Sequence, residues 1–310
     1  MAIDDVGLVD TEAQAASATA RASRGESKET ADPADPRPAA QRRVALQLLR
    51  RPTFVLSALV VLFWIVAAVG WRWFGLHPFA DTGQHLAPPS ASHWFGTDDI
   101  GRDVFARVLA GAEPALAIGP AGTILATVLG STLGLIAGYH RGWVDTALMR
   151  VFDVFLALPT LIFILVIVGA FGASVPTLIL TVGLVFAPGI ARIIRAAVLT
   201  EMGKQYVTSA KLQRESTVRI LFRELLPNIF PTILIQATLS LAAAIFISSS
   251  LSFLGLASAP PSPDWGLAIS DNRAYLQSAG WTVLFPAAAI ASLVVAVHLI
   301  ADNLKEVLDR

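Results

Sequence analysis

The chain has 310 residues, of which 55% are hydrophobic and 15% are charged, whereas an ordinary soluble domain has about 25% charged residues. This composition excludes a soluble globular enzyme and indicates a polytopic α-helical membrane protein. The absence of cysteine excludes disulfides, thiolate metal sites and a cysteine nucleophile. The net charge of zero conceals an uneven distribution of 23 basic and 23 acidic residues.

The amino-terminal residues divide by charge. Residues 1–36 hold eight acidic residues, three basic residues and no aromatic residue, which predicts a disordered acidic tail. Residues 37–52 hold five arginines and no acid, a pattern typical of a cytoplasmic segment next to a membrane span. We therefore expect the membrane domain to occupy residues 53–310.

Six apolar runs are long enough to cross a bilayer, which takes about 20 residues of helix. They are 53–74, 115–138, 151–171, 174–192, 229–256 and 281–301. The short connection between the third and fourth runs predicts a helical hairpin, and Pro159 and Pro188 inside them predict kinks. Gly130, Gly134 and Gly138 in the second run form a ladder of small residues that would let another helix approach closely.

The basic residues predict the orientation of these spans. From residue 37 onward, 16 Lys and Arg residues fall on the side of the amino terminus and 4 fall on the other side. Because an excess of Lys and Arg marks the cytoplasmic side, we expect both termini in the cytoplasm. The loop 193–228 is then the most basic of the cytoplasmic connections.

Within this loop the sequence predicts two short helices, of which the first covers residues 205–213. The apolar positions of the second recur at i, i+3, i+4 and i+7 and are Val218, Leu221, Phe222 and Leu225. Ser216 or Thr217 can cap this helix, and Pro227 is expected to stop it. Two such helices would form a knob that another protein could grip.

Four stretches of the sequence resemble the permease subunits of ABC importers for dipeptides, oligopeptides and nickel, and in particular the second, C-type permease of the pair. Residues 205–228, from QYVTSAK to RELLPN, resemble the EAA loop of these permeases. Residues 93–107 resemble the GTDxxGRDxxSR signature, and residues 251–266 resemble the LSFLGLG and PxPxWG block. Residues 302–309 are similar to the closing GDxLRDxLDP.

The resemblance implies an all-α fold like that of type I ABC importers, in a multi-pass subunit of the bacterial plasma membrane that forms half of a pathway for di- or oligopeptides. It implies partnership with a second permease in a heterodimer, with cytoplasmic ATP-binding subunits that hold ATP and Mg, and with an extracytoplasmic solute-binding protein. It implies no catalysis and no cofactor on this chain, and no nucleic-acid partner. The ATPase would dock on the loop 204–228. The positions carried over to this coupling role are Tyr206, Val207, Ser209, Ala210, Lys211, Arg214, Arg219 and Pro227.

The chain departs from the pattern of the family inside this loop. Thr208 and Ser209 stand where the family has the Glu and Ala that begin its motif, and Arg214 stands where it has Gly. A left-handed backbone costs a residue other than glycine on the order of 1–2 kcal/mol. We therefore expect a reshaped turn at Arg214.

Three alternatives remain at this point. The cargo could be nickel or another small solute, although the eight-residue spacing of His77, His85 and His93 fits no standard metal site. An ion-coupled carrier would bury carboxylates at the middle of the membrane, where the sequence offers none. An intramembrane enzyme could use the hydroxyls at 248–250, but no histidine is placed to activate them. The sequence has no GxxxxGK[ST] loop for hydrolysing ATP itself.

Overall fold

A computed structural model describes residues 46–308, and within that range the chain is helical, with two isolated β-bridges and no strand. From Gln47 onward the residues form one unit. Its helices are α1 (Pro52–Gly70), α2 (Val104–Ala110), α3 (Ala112–His140), α4 (Gly142–Ala157), α5 (Thr160–Phe171), α6 (Val175–Glu201), α7 (Gln205–Leu212), α8 (Thr217–Phe253), α9 (Trp265–Asn272) and α10 (Trp281–Leu308). The predictions for residues 1–36 and for most of residues 37–52 lie outside the described residues.

Five helical segments are long and apolar enough to cross a membrane, namely α1, the joined helices α2 and α3, α6, α8 and α10. A sixth span results if the bent pair of α4 and α5 crosses as one unit. Several helices continue past the apolar runs of the sequence, since α6 continues to Glu201 and α10 to Leu308. Hydropathy detects only the part of a helix that lies in lipid, so it places the ends too early.

The run 151–171 is not the single kinked helix that the sequence predicts. Two helices, α4 and α5, meet here at an angle of 92°. Leu158, between them, has an extended backbone with φ −78° and ψ 132°. Pro159 disfavours a helical conformation at the residue before it and donates no backbone hydrogen bond, which explains the break. By contrast, Pro188 lies inside the continuous helix α6.

The predicted ladder of small residues packs α3 against α6. A Cβ atom on Gly130 would lie 2.7 Å from the carbonyl oxygen of Ala187, and one on Gly134 would lie 2.5 Å from that of Ala191. At Gly138 the obstacle would be the Val198 side chain, at 2.8 Å. Such distances leave no room for any side chain, so the packing role predicted for this ladder is confirmed.

A second packed region joins α1, α8 and α10 at the ends of these helices remote from the loop 193–228. Trp64 of α1 lies edge-on to Trp265 of α9, with ring centroids 4.8 Å apart, and its Nε1 donates to Ser292 of α10 at 3.0 Å. Ile245 of α8 belongs to the same buried cluster. The short helix α9 is thereby fixed against three long helices, at the end of α8 that lies away from the loop 193–228.

Candidate functional site

The two predicted short helices form a knob of residues 205–225, consisting of α7 and the beginning of α8. Val207 and Ala210 of α7 are buried, with 0% and 7% of their surface exposed. They belong to a hydrophobic cluster with Val198 of α6 and with Ile220 and Leu225 of α8. Burial of this apolar face packs the knob against two membrane helices.

Tyr206 and Lys204 fasten the entry of α7 to the last residue of α6. The Tyr206 hydroxyl donates to Glu201 Oε2 at 2.6 Å, and Lys204 Nζ donates to Glu201 Oε1 at 2.7 Å. Burial raises the pKa of Tyr206 above its ordinary value, and the hydrogen bond to Glu201 adds to the increase. The phenol therefore stays protonated and keeps donating at any physiological pH.

Arg214 keeps the left-handed turn that the sequence analysis expects to be reshaped. Its φ is 56°. Its N–H donates to the carbonyl oxygen of Lys211 at 3.0 Å, and the N–H of Glu215 donates to that of Ala210 at 3.1 Å. These two bonds define a Schellman motif, in which glycine is the usual residue at the position of Arg214. The expected reshaping is wrong because both hydrogen bonds of the motif hold the turn in place despite the backbone cost.

The start of α8 follows the prediction for its cap, and Leu221 and Leu225 are the two buried residues of its four periodic apolar positions. Ser216 caps the helix by accepting from the N–H of Arg219. Residues Ile220–Leu225 then adopt a π-helix, in which the N–H of Leu226 donates to Leu221. A π turn pairs residues five apart rather than four. As a result Ile220 and Leu225 are buried together, with 1% and 0% exposed.

The other two apolar side chains that recur at the helical spacing are exposed to solvent. Val218 and Phe222 are 64% and 61% exposed. Leu212, the last residue of α7, is 79% exposed and was not singled out by the sequence. The knob therefore exposes three large apolar side chains to water, at a cost in free energy.

Pro227 does not stop the second helix. The helix is continuous from Thr217 to Phe253, and Pro227 lies in the first turn of the α-helical segment that follows the π turn. A proline is tolerated at the start of a helical segment because its missing N–H would have no partner there. The predicted end of the helix is therefore wrong, and the knob is directly continuous with a membrane span.

The structure separates the predicted site residues into two groups. Val207 and Ala210 face the interior, and Tyr206 is half-buried. The exposed members are Ser209, Lys211, Arg214, Arg219 and Pro227. The Lys211 ammonium lies 5.6 Å from the centre of the Tyr139 ring, so the end of α3 also contacts the knob.

Two of the other motifs, residues 93–107 and 251–266, meet at the end of the spans opposite the knob. Asp98 accepts from the backbone N–H and the Nε of Arg102, at 2.8 and 2.6 Å. Arg107 donates to the carbonyl oxygens of Ser262 at 2.9 Å and of Pro78 at 3.3 Å. Both arginines are buried, with at most 5% exposed. The two signature stretches around residues 98–107 and 261–266 therefore hold each other in place within this chain.

The three histidines of the first long loop do not converge. His93 Nδ1 lies 2.8 Å from Asp103 Oδ2, and the His85 ring nitrogen lies 3.0 Å from the carbonyl oxygen of Asp99. In residues 46–308 no group of three or more His, Asp and Glu side chains is placed to hold a metal ion. Asp103 also caps α2 by accepting from Ala106, so its pairing with His93 serves the fold of the loop.

Comparison with known proteins identifies the family. The family model described as binding-protein-dependent transport system inner membrane component matches residues 130–310. The chain belongs to this family. It is accordingly a multi-pass subunit of the plasma membrane and a non-catalytic permease.

Individual relatives extend over most of the chain. The permease is 36% identical over 270 residues to the dipeptide transport system permease protein DppC of Alkalihalophilus pseudofirmus, covering 86% of this chain and 89% of the relative. It is 33% identical over 260 residues to the probable D,D-dipeptide transport system permease protein DdpC of Escherichia coli, covering 83% and 87%. The similarity extends from before the family-model region and includes most of the described helices.

A solved structure supports the fold. The permease matches a chain of the MetNI methionine ABC transporter in an inward-facing conformation, with a TM-score of 0.55 and 17% identity. The match covers 65% of this permease and 96% of the other chain. At this identity the match establishes the importer-permease fold alone.

Proposed function

We propose that this permease forms one half of the membrane pathway of an ATP-driven importer of di- or oligopeptides. The assignment of peptides as the substrate rests on the 36% identity over 270 residues to a permease named for dipeptide transport. Four motif stretches of the chain, from residue 93 to residue 309, agree with this assignment. The two ends of the spans then have separate roles. The knob would contact the ATPase, and the opposite end, around α9, would receive the peptide.

The proposed topology has six spans, with both termini in the cytoplasm. The bent pair of α4 and α5 supplies the sixth span. The excess of Lys and Arg on the side of the knob, with 16 basic residues against 4, supports a cytoplasmic location for that side. Two ion pairs join α4 to α6. Arg195 of α6 pairs with Asp145 of α4, and Arg192 of α6 pairs with Asp153 of α4.

The knob is proposed as the docking site for the ATPase. Leu212, Val218 and Phe222 supply the exposed apolar surface that a partner would cover. Further exposed contacts would come from Ser209, Lys211, Arg214, Arg219 and Pro227, whereas Tyr206, Val207 and Ala210 hold the knob in position. The proposal thus retains all eight predicted positions and gives them two different roles.

The proposed mechanism follows from the continuity of the knob with α8. ATP and Mg would be bound by the partner ATPase, and closure of that partner would push on the knob. Because α8 continues from Thr217 to Phe253 without a break, the push reaches the far end of the span. Different affinities of the closed ATPase for the two membrane conformations would convert hydrolysis into alternating access. A second permease would complete the pathway, and a solute-binding protein would deliver the peptide.

The test is purification of the tagged permease from detergent-solubilised membranes, followed by reconstitution and assays of ATP hydrolysis and peptide uptake. We expect a second permease and an ATPase to co-purify, and ATP-driven peptide uptake once the binding protein is added. Phe222→Asp should abolish ATPase recovery, and the matched variant Phe222→Leu should retain it because the apolar contact remains. Recovery of the wild-type chain alone, or uptake without ATP, would contradict the proposal.

A further inference from the structure

A cavity of about 620 Å³ lies at the end of α8 that is remote from the knob. Phe253 and Leu254 at the end of α8 and Leu267 of α9 form its apolar walls, and Ala173 of the α5–α6 turn closes one side. Small-molecule sites commonly have volumes of about 300–1,000 Å³ and combine apolar walls with a few polar groups. This cavity has the size and the walls of such a site.

Two charges of opposite sign line the cavity. They are Asp271 of α9 and Arg273 in the turn that follows it. Within residues 46–308, the Asp271 side chain makes no ion pair or hydrogen bond. One nitrogen of the Arg273 guanidinium, NH1, donates to the Ser270 hydroxyl at 2.8 Å and to the Ser270 carbonyl oxygen at 3.1 Å. The second terminal nitrogen of Arg273 makes no hydrogen bond in that range, so both side chains have polar atoms available to a ligand.

The two charges do not neutralise each other. Residues two apart on a helix point to different sides, which separates their side chains. A ligand that satisfies both must therefore carry a positive and a negative group some distance apart. A short peptide with a terminal ammonium group and a terminal carboxylate has this charge pattern, and its side chains would lie on the apolar walls.

We propose that this cavity receives short peptides on entry, with Asp271 binding the terminal ammonium group and Arg273 binding the terminal carboxylate. The assignment rests on the function proposed above, which brings a zwitterionic peptide to this end of the permease. Arginine suits the binding of a carboxylate because its planar guanidinium can donate two parallel hydrogen bonds to the two carboxylate oxygens.

Within residues 46–308 no cation forms an ion pair with Asp271, although Arg102 and Arg107 are near enough to influence its pKa. Partial burial raises the pKa of Asp271 above its ordinary value, although Arg102 and Arg107 act in the opposite direction and Asp99 and Asp98 add to the increase. A carboxylate in this condition gains stability when a cation approaches. The carbonyl end of α9 adds a further negative potential at the same place.

The experiment measures binding to the detergent-purified permease complex without its binding protein, so that the selectivity of that protein does not enter. The probes are dialanine, N-acetyl-dialanine and dialanine amide. Binding of each probe is measured by saturation-transfer NMR. We expect dialanine to bind about tenfold more tightly than either capped form, because each cap removes one charge-assisted contact. Asp271→Asn should remove only the preference for dialanine over N-acetyl-dialanine. Arg273→Gln should remove only the preference for dialanine over dialanine amide. Asp302→Asn, which changes an exposed carboxylate near the other end of α10, should retain both preferences.

The outcomes separate this inference from the proposed function. Variants that keep both preferences, or a wild-type complex that does not distinguish the three probes, would overturn the peptide cavity. Uptake assays with the binding protein present decide the other question independently. If wild-type complex imports dialanine but shows no preference in the binding experiment, the cavity assignment alone fails. If it imports no peptide at all, the proposed function fails and takes the ligand assignment with it.

Discussion

Arg214 and Gly255 occupy the same position in two equivalent helix-terminal motifs. The N–H of Arg214 donates to Lys211 at 3.0 Å, and the N–H of Gly255 donates to Ser252 at 3.0 Å. Both residues have a left-handed backbone, with φ of 56° and 75°. One motif ends α7 in the knob and the other ends α8 at the peptide cavity. Of these two motifs, only the one in the knob has a residue with a Cβ at the left-handed position.

Arg214→Gly should stabilise the turn of the knob by about 1 kcal/mol, because glycine adopts this backbone without the steric cost and loses part of the gain to its flexible unfolded state. The measurement is hydrogen exchange of the Glu215 amide, which closes the motif. Gly255→Ala is the matched reverse change, since a Cβ there would meet nothing within 4 Å and only the backbone is strained. It should speed exchange of the Leu256 amide. Equal exchange in wild type and Arg214→Gly would show that Arg214 is unstrained.

Gly134→Ala should destabilise the permease by roughly 1–3 kcal/mol, because the new Cβ would lie 2.5 Å from the backbone oxygen of Ala191 and the two helices must separate. The check is the midpoint of thermal unfolding in detergent. Gly189→Ala in α6 is the control, because a Cβ at that helical position meets no atom within 4 Å. It should leave the midpoint unchanged or slightly raised. A lower midpoint for both variants would mean that the loss of any glycine destabilises the permease, and that close helix packing at Gly134 is not the cause.

The sequence predicted the features that depend on composition and local pattern. The apolar runs located the long helices, the spacing of Gly130, Gly134 and Gly138 identified a packing face, and the serine at 216 identified a helix cap. These succeed because each depends on neighbouring residues alone. Pro159 likewise marked the right position, although the bend it produces is larger than a kink.

The remaining features depend on contacts between distant residues. The π turn at Ile220–Leu225 changes the side of the helix on which Phe222 lies, and no period read from the sequence indicates such a turn. Arg214 remains left-handed because hydrogen bonds from the rest of the motif outweigh its own preference. The pairing of Arg107 with Ser262 joins residues 155 positions apart. The resemblance to family motifs identified residues 93–107 and 251–266 but did not indicate that these two stretches contact each other.

Arg107→Lys should lower the stability of the loops that contain Pro78 and Ser262 by about 2–3 kcal/mol. Lysine retains the charge but cannot reach the carbonyl oxygens of Ser262 and Pro78 together while remaining near Asp98, so buried acceptors lose their donors. The midpoint of thermal unfolding in detergent is again the measurement. Arg72→Lys is the control, because its pair with Glu113 is exposed and worth less than about 1 kcal/mol. Similar small effects for both variants would show that the Arg107 contacts are replaced by water.

Ser209→Trp and Ala210→Trp should both reduce ATP-driven uptake more than tenfold, but for different reasons. Ser209 is exposed, so a tryptophan there obstructs the partner while the knob keeps its packing. Ala210 is 7% exposed and lies against Val198 and Ile220, so a tryptophan there displaces α7 itself. Only Ala210→Trp should therefore lower the thermal midpoint, whereas Ser209→Thr should preserve both uptake and stability. Unchanged uptake by Ser209→Trp in a correctly inserted permease would remove the ATPase-docking role proposed for the exposed side of α7.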